Sequence, residues 1–370
     1  MSMSSALAVV GGLGLFVVVL GYPLTLLLLP RRKRSIPAPD PDVWPGVVMI
    51  TAARNAGALM EAKLDNFRAL NYPPEQLTLL IASDASTDTT RQIIEAAADP
   101  RIRLIEQKER RGKAAALNLA VDQADAELLL FSDADARLAP DAVRVLARHF
   151  SDPQVGGVCG QRRAVRSDAR LRDAQQSYIN LDSRLRMLES DRGRIGSNDG
   201  KIHMIRRALF EPIPQGVSDD FYTLLAVIAR KARFLFEPAA VAKINLPARD
   251  ARHEIGRRRR IVLISWVALF RKPFLLNPLR FGGFAFGLWV NKIGRRLLPF
   301  FLLLLAAGAV RGLCAFPLIL AALLTVCIGG LLVSRHAQYI AAGLIGTAWG
   351  VVDFVIGRRI VQWEPKKNGA

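Results

Sequence analysis

Short apolar runs alternate through the middle of the chain with longer stretches that are apolar on one face. Val47–Thr51 (VVMIT), Leu77–Ser83 (LTLLIAS), Ile102–Ile105 (IRLI) and Glu127–Ser132 read as buried strands. Between them, Gly57–Leu70, Thr87–Ala98 and Lys113–Ala124 read as helices, and Pro140 as the first-turn proline of another. Strand–helix alternation with short turns predicts an α/β domain: a mostly parallel sheet with helices on both faces. In such a sheet ligands bind at the carboxyl ends of the strands.

The two ends of the chain follow a different pattern. Leu7–Leu29 is uncharged, and no charged side chain precedes Arg31. That run is long enough to cross a hydrocarbon core about 30 Å thick, and too long for a signal peptide without a basic n-region. RRKR (Arg31–Arg34) then predicts a cytoplasmic side there and an outside amino terminus. A proline-rich linker follows, completing 31–46. Near the other end, Leu297–Val310 is short and broken by Arg311, whereas Gly312–Ser334 is of spanning length. This predicts two helices over 297–334, with Arg311 at the outer interface. His336–Gly357 contains Gly343, Gly346, Gly350 and Asp353. If it spanned, GRR and EPKK would land outside, against the charge rule. The expectation for 335–370 is therefore a third membrane segment or, more in keeping with the charge rule, a re-entrant or interfacial one, followed by a basic tail. Between the central domain (47–250) and these segments, 251–296 mixes arginines with apolar and aromatic residues, as interfacial helices do.

The formal net charge is +19. Because the basic runs flank apolar segments, an anionic membrane surface accounts for that charge more simply than nucleic acid does. The three cysteines, Cys159, Cys314 and Cys327, have neither paired nor metal-type spacing, and the four histidines are scattered. A zinc site is not expected, and a reducing compartment is.

The chemistry concentrates at strand ends. LLLFSDADARLAP (Leu128–Pro140) drives a buried strand into Asp133 and Asp135. Alone, this pair reads equally as turn chemistry or as two carboxylates sharing a hard cation. Asp84 and Asp88 stand at the end of another strand, on the same predicted edge, which favours a site. Lys113 opens a helix after Gly112, a setting that favours phosphate. SDASTDTT (Ser83–Thr90), RGKAAALN (Arg111–Asn118), FSDADARLAP (Phe131–Pro140) and VSDDFY (Val217–Tyr222) follow in order. Together they resemble the inverting family 2 glycosyltransferases of GT-A fold. Within that family they look most like the membrane-embedded cellulose-synthase and poly-N-acetylglucosamine-synthase group, over about Val47 to Ile261.

The resemblance implies a UDP-sugar donor and a cytoplasmic active site on the inner membrane. It implies Mg²⁺ or Mn²⁺ held by Asp133 and Asp135, with Asp133 also near the ribose. Asp84 would contact the base or ribose, and Ala53 and Lys113 would also touch the donor. Arg257 and Arg260 would clamp the diphosphate. Asp220 would be the base, with Asp219 tuning it and Asp199 as a fallback. His203 is a weaker candidate acceptor contact, a buried ring being its plainer reading. The acceptor would be a growing glycan or, as the alternative, a polyprenyl phosphate or glycolipid. A non-catalytic nucleotide-binding subunit is the reading from another class. Four positions depart from the pattern: Ala56 replaces the usual glutamate, Arg257 the glutamine and Ile261 the acceptor-stacking tryptophan of processive members, and His203 stands where an aromatic is common, in a stretch (Gly196–Arg207) shorter than usual.

Overall fold

The computed structural model describes residues 3–30, 43–165, 172–193, 195–245, 250–313 and 334–359. Its eight strands are β1 (Val47–Ala53), β2 (Leu77–Asp84), β3 (Ile102–Gln107), β4 (Leu128–Phe131), β5 (Ala136–Leu138), β6 (Val155–Val165), β7 (His203–Arg206) and β8 (Arg233–Asn245). They form one sheet in the order β3-β2-β1-β4-β7-β6-β8-β5. β1 to β4 pair in parallel. The far half is mixed: β7 is antiparallel to β4 and β6, β6 is parallel to β8, and β5 is antiparallel to β8.

The helices around the sheet are α2 (Gly57–Arg68), α3 (Thr90–Glu95), α4 (Lys113–Asp122), α5 (Ala142–Ala147), α6 (Arg172–Ser190), α7 (Asp219–Ala229) and α8 (Ala251–Phe270). Three more are apolar: α1 (Met3–Leu28), α9 (Pro278–Val310) and α10 (Arg335–Val355). Every residue of β1 is buried, as a central parallel strand requires. Val47 and Met49 join Met60, Leu64 and Phe67 of α2 in one core. Val48 and Ile50 join Ala116, Leu117 and Ala120 of α4 and Leu224 of α7 in the other. The second core continues into Ala268 and Leu269 of α8 and Phe284 and Leu288 of α9. The sheet therefore rests directly on the helices that lead to the apolar part of the molecule.

α1, α9 and α10 are each long and apolar enough to cross a membrane. Leu13, Leu20, Leu27, Leu303, Ile340 and Trp349 stand exposed on them, the side-chain type a lipid face requires. Small residues let their backbones meet. A Cβ on Gly11 of α1 would lie 2.5 Å from the Leu305 nitrogen, and one on Gly308 2.6 Å from the Ser4 oxygen. On α10, a Cβ at Gly346 would lie 2.5 Å from the Ile255 oxygen, and one at Gly350 2.7 Å from the Arg259 oxygen. The glycines of this segment are thus used in packing on α8. Asp353 of α10 meets Arg259 at 2.8 Å, which supplies the partner an acid among apolar residues needs.

One boundary differs from the sequence reading. An interfacial stretch was expected to end at Arg296 and a spanning one to begin at Leu297, but α9 runs unbroken through both, with its kink further back at Gly282 (φ 52°). His336–Gly357 lies almost wholly within the single helix α10. RRKR, most of the linker and most of Gly312–Ser334 lie outside the described residues.

Candidate active site

The parallel half of the sheet brings its acidic residues to one edge. The loops after β1 and β2 are stitched together there: Arg54 donates to the Asp84 carbonyl at 2.7 Å, and Asn55 Oδ1 accepts from the Thr87 N–H at 2.8 Å. Asn55 (φ 46°) and Ala85 (φ 49°) adopt left-handed backbone, which for alanine costs about 1–2 kcal/mol. Asp84 makes no Asx-turn. Its Oδ1 accepts from the N–H groups of Arg111 and Gly112 at 2.8 and 3.0 Å, tying β2 to the start of α4. Its Oδ2 is buried with no hydrogen-bond partner. A buried carboxylate oxygen without a donor is costly unless a ligand supplies one. Asp88 has a structural task, since its Oδ2 accepts from Gly57 N at the head of α2.

Asp133 and Asp135 follow β4 and enter a chain of alternating charges. Lys201 Nζ lies 2.9 Å from Asp133 Oδ2 and 2.6 Å from Asp135 Oδ1. Lys113 Nζ lies 2.8 Å from both Asp133 Oδ1 and Asp219 Oδ2. Enclosure alone would push Asp133 up, but the ammonium groups of Lys113 and Lys201 outweigh it and hold the carboxyl well below the usual range. Beneath the turn, fully buried Lys63 donates to Ser132 Oγ, the Asp133 carbonyl and the Ala136 carbonyl at 2.9, 3.0 and 3.2 Å.

Asp220 sits in a different environment. It occupies the first turn of α7, where its Oδ1 accepts from the Phe221 N–H at 2.7 Å and from the Ser218 hydroxyl. Its Oδ2 accepts no hydrogen bond among the described residues and faces Gly200, where a Cβ would lie 3.4 Å away. Burial, reinforced by the charge of Asp219, raises Asp220 above the ordinary carboxylate range. One oxygen is anchored and the other is open, on a group made unusually ready to take a proton.

Residues 48–213 match the family described as Glycosyl transferase family 2. That span, rather than the whole chain, is a family 2 glycosyltransferase domain. An N-acetylglucosaminyltransferase of Rhizobium sp. (strain N33) is 28% identical over 295 residues, covering 75% of this chain and 63% of that protein. A poly-beta-1,6-N-acetyl-D-glucosamine synthase of Staphylococcus aureus (strain COL) is 24% identical over 213 residues, 56% of this chain and 51% of that one. The chain therefore spans less than two thirds of these curated relatives. Among solved structures, the mannosyltransferase PcManGT of Pyrobaculum calidifontis, in complex with GDP-Man and Mn²⁺, superposes with a TM-score of 0.73 and 26% identity. That match covers 95% of this chain and 99% of the other. The glycosyltransferase domain accordingly has the GT-A-like fold that the strand pattern and motifs led us to expect.

Within this domain, the oxygens of Asp133 and Asp135 converge closely enough for one ammonium to touch both. This donor set suits a divalent cation that takes its remaining ligands from phosphate and water. No group of three or more histidine, cysteine or acidic ligands competes with it among the described residues. Of the two arginines expected at the diphosphate, Arg260 has no ion-pair or hydrogen-bond partner among the described residues. Burial and then Arg257 push its guanidinium down, while Asp219 and Asp133 pull the other way, so it lies within electrostatic reach of the acidic cluster. Arg257 is instead held by Glu254 at 2.7 Å. Ala53 is buried at the end of β1, beside Ser83. His203 is an interior ring, stacked on Phe131 at a centroid distance of 4.9 Å, with Nδ1 at 3.2 Å from the Asp199 carbonyl. Asp199 is buried and paired with Arg186 at 2.8 Å, so it is already committed.

Sequence reasoning missed Lys63 and Lys201. A buried lysine on an amphipathic helix and a lysine in a polar loop give no local signal, because their partners are long-range. The link to the apolar helices was also missed. Buried Glu189 of α6 accepts from the Tyr22 hydroxyl of α1 at 2.8 Å, the Asn291 amide of α9 at 2.9 Å and the Gly196 N–H at 3.0 Å.

Proposed function

We propose that this chain is a membrane-bound inverting glycosyltransferase that transfers a sugar from UDP-sugar to a glycan or membrane-carried acceptor at a cytoplasmic active site. The observation that carries the proposal is the pairing of two unlike carboxylate environments across one pocket: Asp133 and Asp135 matched to cations, and Asp220 with an open oxygen. Asp84 Oδ2, already deprived of protein donors, suits the single N–H on the uracil edge. Asp133 and Asp135 would hold Mg²⁺ or Mn²⁺, which as a Lewis acid neutralises charge on the departing diphosphate. Lys113 and Arg260 lie where they add positive charge to that group. Asp220 Oδ2 would take the proton of the acceptor hydroxyl as the glycosidic bond forms and the bond to the diphosphate breaks. Ser218 and the Phe221 N–H hold its other oxygen and so orient it. Glu189 brings membrane helices against the loop bearing Gly196 and Asp199, which supports an acceptor carried in or on the membrane.

A second reading, GDP-mannose as donor, is favoured by the end-to-end match to the mannosyltransferase. Membranes containing the protein should be supplied with labelled UDP-N-acetylglucosamine, UDP-glucose or GDP-mannose, with and without EDTA. We expect metal-dependent transfer from a UDP-sugar into a membrane-associated product, whose length on a gel separates polymer from single addition. Transfer from GDP-mannose alone would replace the donor assignment. Donor binding without transfer or hydrolysis would mark a non-catalytic subunit.

A further inference from the structure

The ammonium of Lys201 touches three oxygens, Asp133 Oδ2 at 2.9 Å and Asp135 Oδ1 and Oδ2 at 2.6 and 2.9 Å. These are the oxygens assigned above to the metal, and the inference rests on that assignment. A divalent ion bridging them at about 2.0–2.2 Å would lie almost where Nζ lies, so ion and ammonium exclude one another. We infer that Lys201 is a resident counter-ion of the metal site. It holds the two carboxylates together before the donor arrives, and it must withdraw for a divalent cation to bind.

The surroundings permit that exchange. The Lys201 side chain is 22% exposed, so its flexible four-carbon stem has a solvent side to swing towards. Its backbone is fixed independently, with the Lys201 N–H donating to Asp199 Oδ1 at 3.1 Å and Asp199 anchored by Arg186. The side chain can therefore leave without disturbing the loop beside Asp220. Lys113 stays on the opposite oxygen of Asp133, so the turn keeps one cation throughout. Breaking the Lys201 ion pairs opposes metal binding, which sets the metal concentration at which the site fills.

The test is Mn²⁺ binding to the donor-free, full-length protein in detergent, by calorimetry or by the electron-paramagnetic signal of free Mn²⁺. Lys201→Ala should tighten binding roughly tenfold, because a charge-assisted competitor for the same oxygens is gone, and Asp135→Asn should abolish it. Lys201→Arg, which keeps a competing cation, should stay within a few-fold of the parent. A second readout separates displacement from simple repulsion. Amine acylation of Lys201, followed by mass spectrometry, should rise several-fold when the parent protein is saturated with Mn²⁺. Unchanged or weaker binding in Lys201→Ala, or unchanged acylation, overturns the inference while leaving the metal assignment standing. Failure of both parent and Lys201→Ala to bind Mn²⁺ overturns the metal assignment and the inference with it.

Discussion

Asp133 and Asp220 are the same residue type in the same candidate site, linked through Lys113 and Asp219, yet their surroundings pull them in opposite directions. Asp133 has an ammonium on each oxygen and is held far down. Asp220 is offered a hydroxyl, a backbone N–H and a neighbouring carboxylate, and burial with that like charge holds it up. The first is suited to staying charged against a cation, the second to exchanging a proton. Chemical role here follows from the neighbours rather than from the side chain.

The largest effect that bears on this contrast is expected at Asp220, the proposed base. Asp220→Asn should cut turnover by roughly 10²–10⁴-fold while leaving donor affinity within a few-fold. Loss of donor binding in proportion to rate would make Asp220 a donor ligand and collapse the distinction. Next in size is Lys63. Lys63→Met strands Ser132 Oγ and two carbonyls under the Asp133 turn and should weaken metal affinity and activity by about 10–100-fold. Donor-free Mn²⁺ titration beside the thermal unfolding midpoint separates a misplaced turn from a misfolded protein; unaltered affinity would release Lys63 from any part in the site.

The smallest effect sharpens the comparison most. A base must be deprotonated, so activity should be present above the raised Asp220 value and lost as pH falls through it. The acid limb of kcat/KM should therefore lie above the ordinary carboxylate range. Asp219→Asn removes the like charge and should move that limb to lower pH, by about one unit or less. A stationary limb would mean that Lys113 already neutralises Asp219.

Much of the donor side was legible because its signals are local. The four parallel strands and their helices are written in short apolar runs and one-faced helices, and the carboxylates stand directly at strand ends. The antiparallel half was not legible. β5 is three residues long and is a strand by virtue of pairing with β8, which follows about a hundred residues later. Arg257 and Arg260 carry the same motif weight, yet Glu254 one turn away captures the first and leaves the second to the pocket. His203 drew notice because it stands where the resemblance has an aromatic, and the structure makes it a buried ring stacked on Phe131, beside the Asp199 carbonyl and within reach of the charges of Asp220 and Asp219. For the apolar helices, composition gave length but not the helix partners, since Gly346 and Gly350 acquire their meaning from α8.

The glycine contact between α1 and α9 also concerns the order of assembly. In a chain made from its amino terminus, α1 is synthesised first, but Leu305 and Gly308, which fit against Gly11, Ser4 and Ala8, emerge after the whole sheet. Strand β8 ends at Asn245, so the sheet can close while the packing face of α1 is still bare. The Glu189 pocket is completed in the same late step, when Asn291 arrives. Among these elements, assembly therefore runs from a finished sheet with the α1 packing face bare to a docked α1–α9 pair, and the window before α9 is made is when that face is open to the wrong partner.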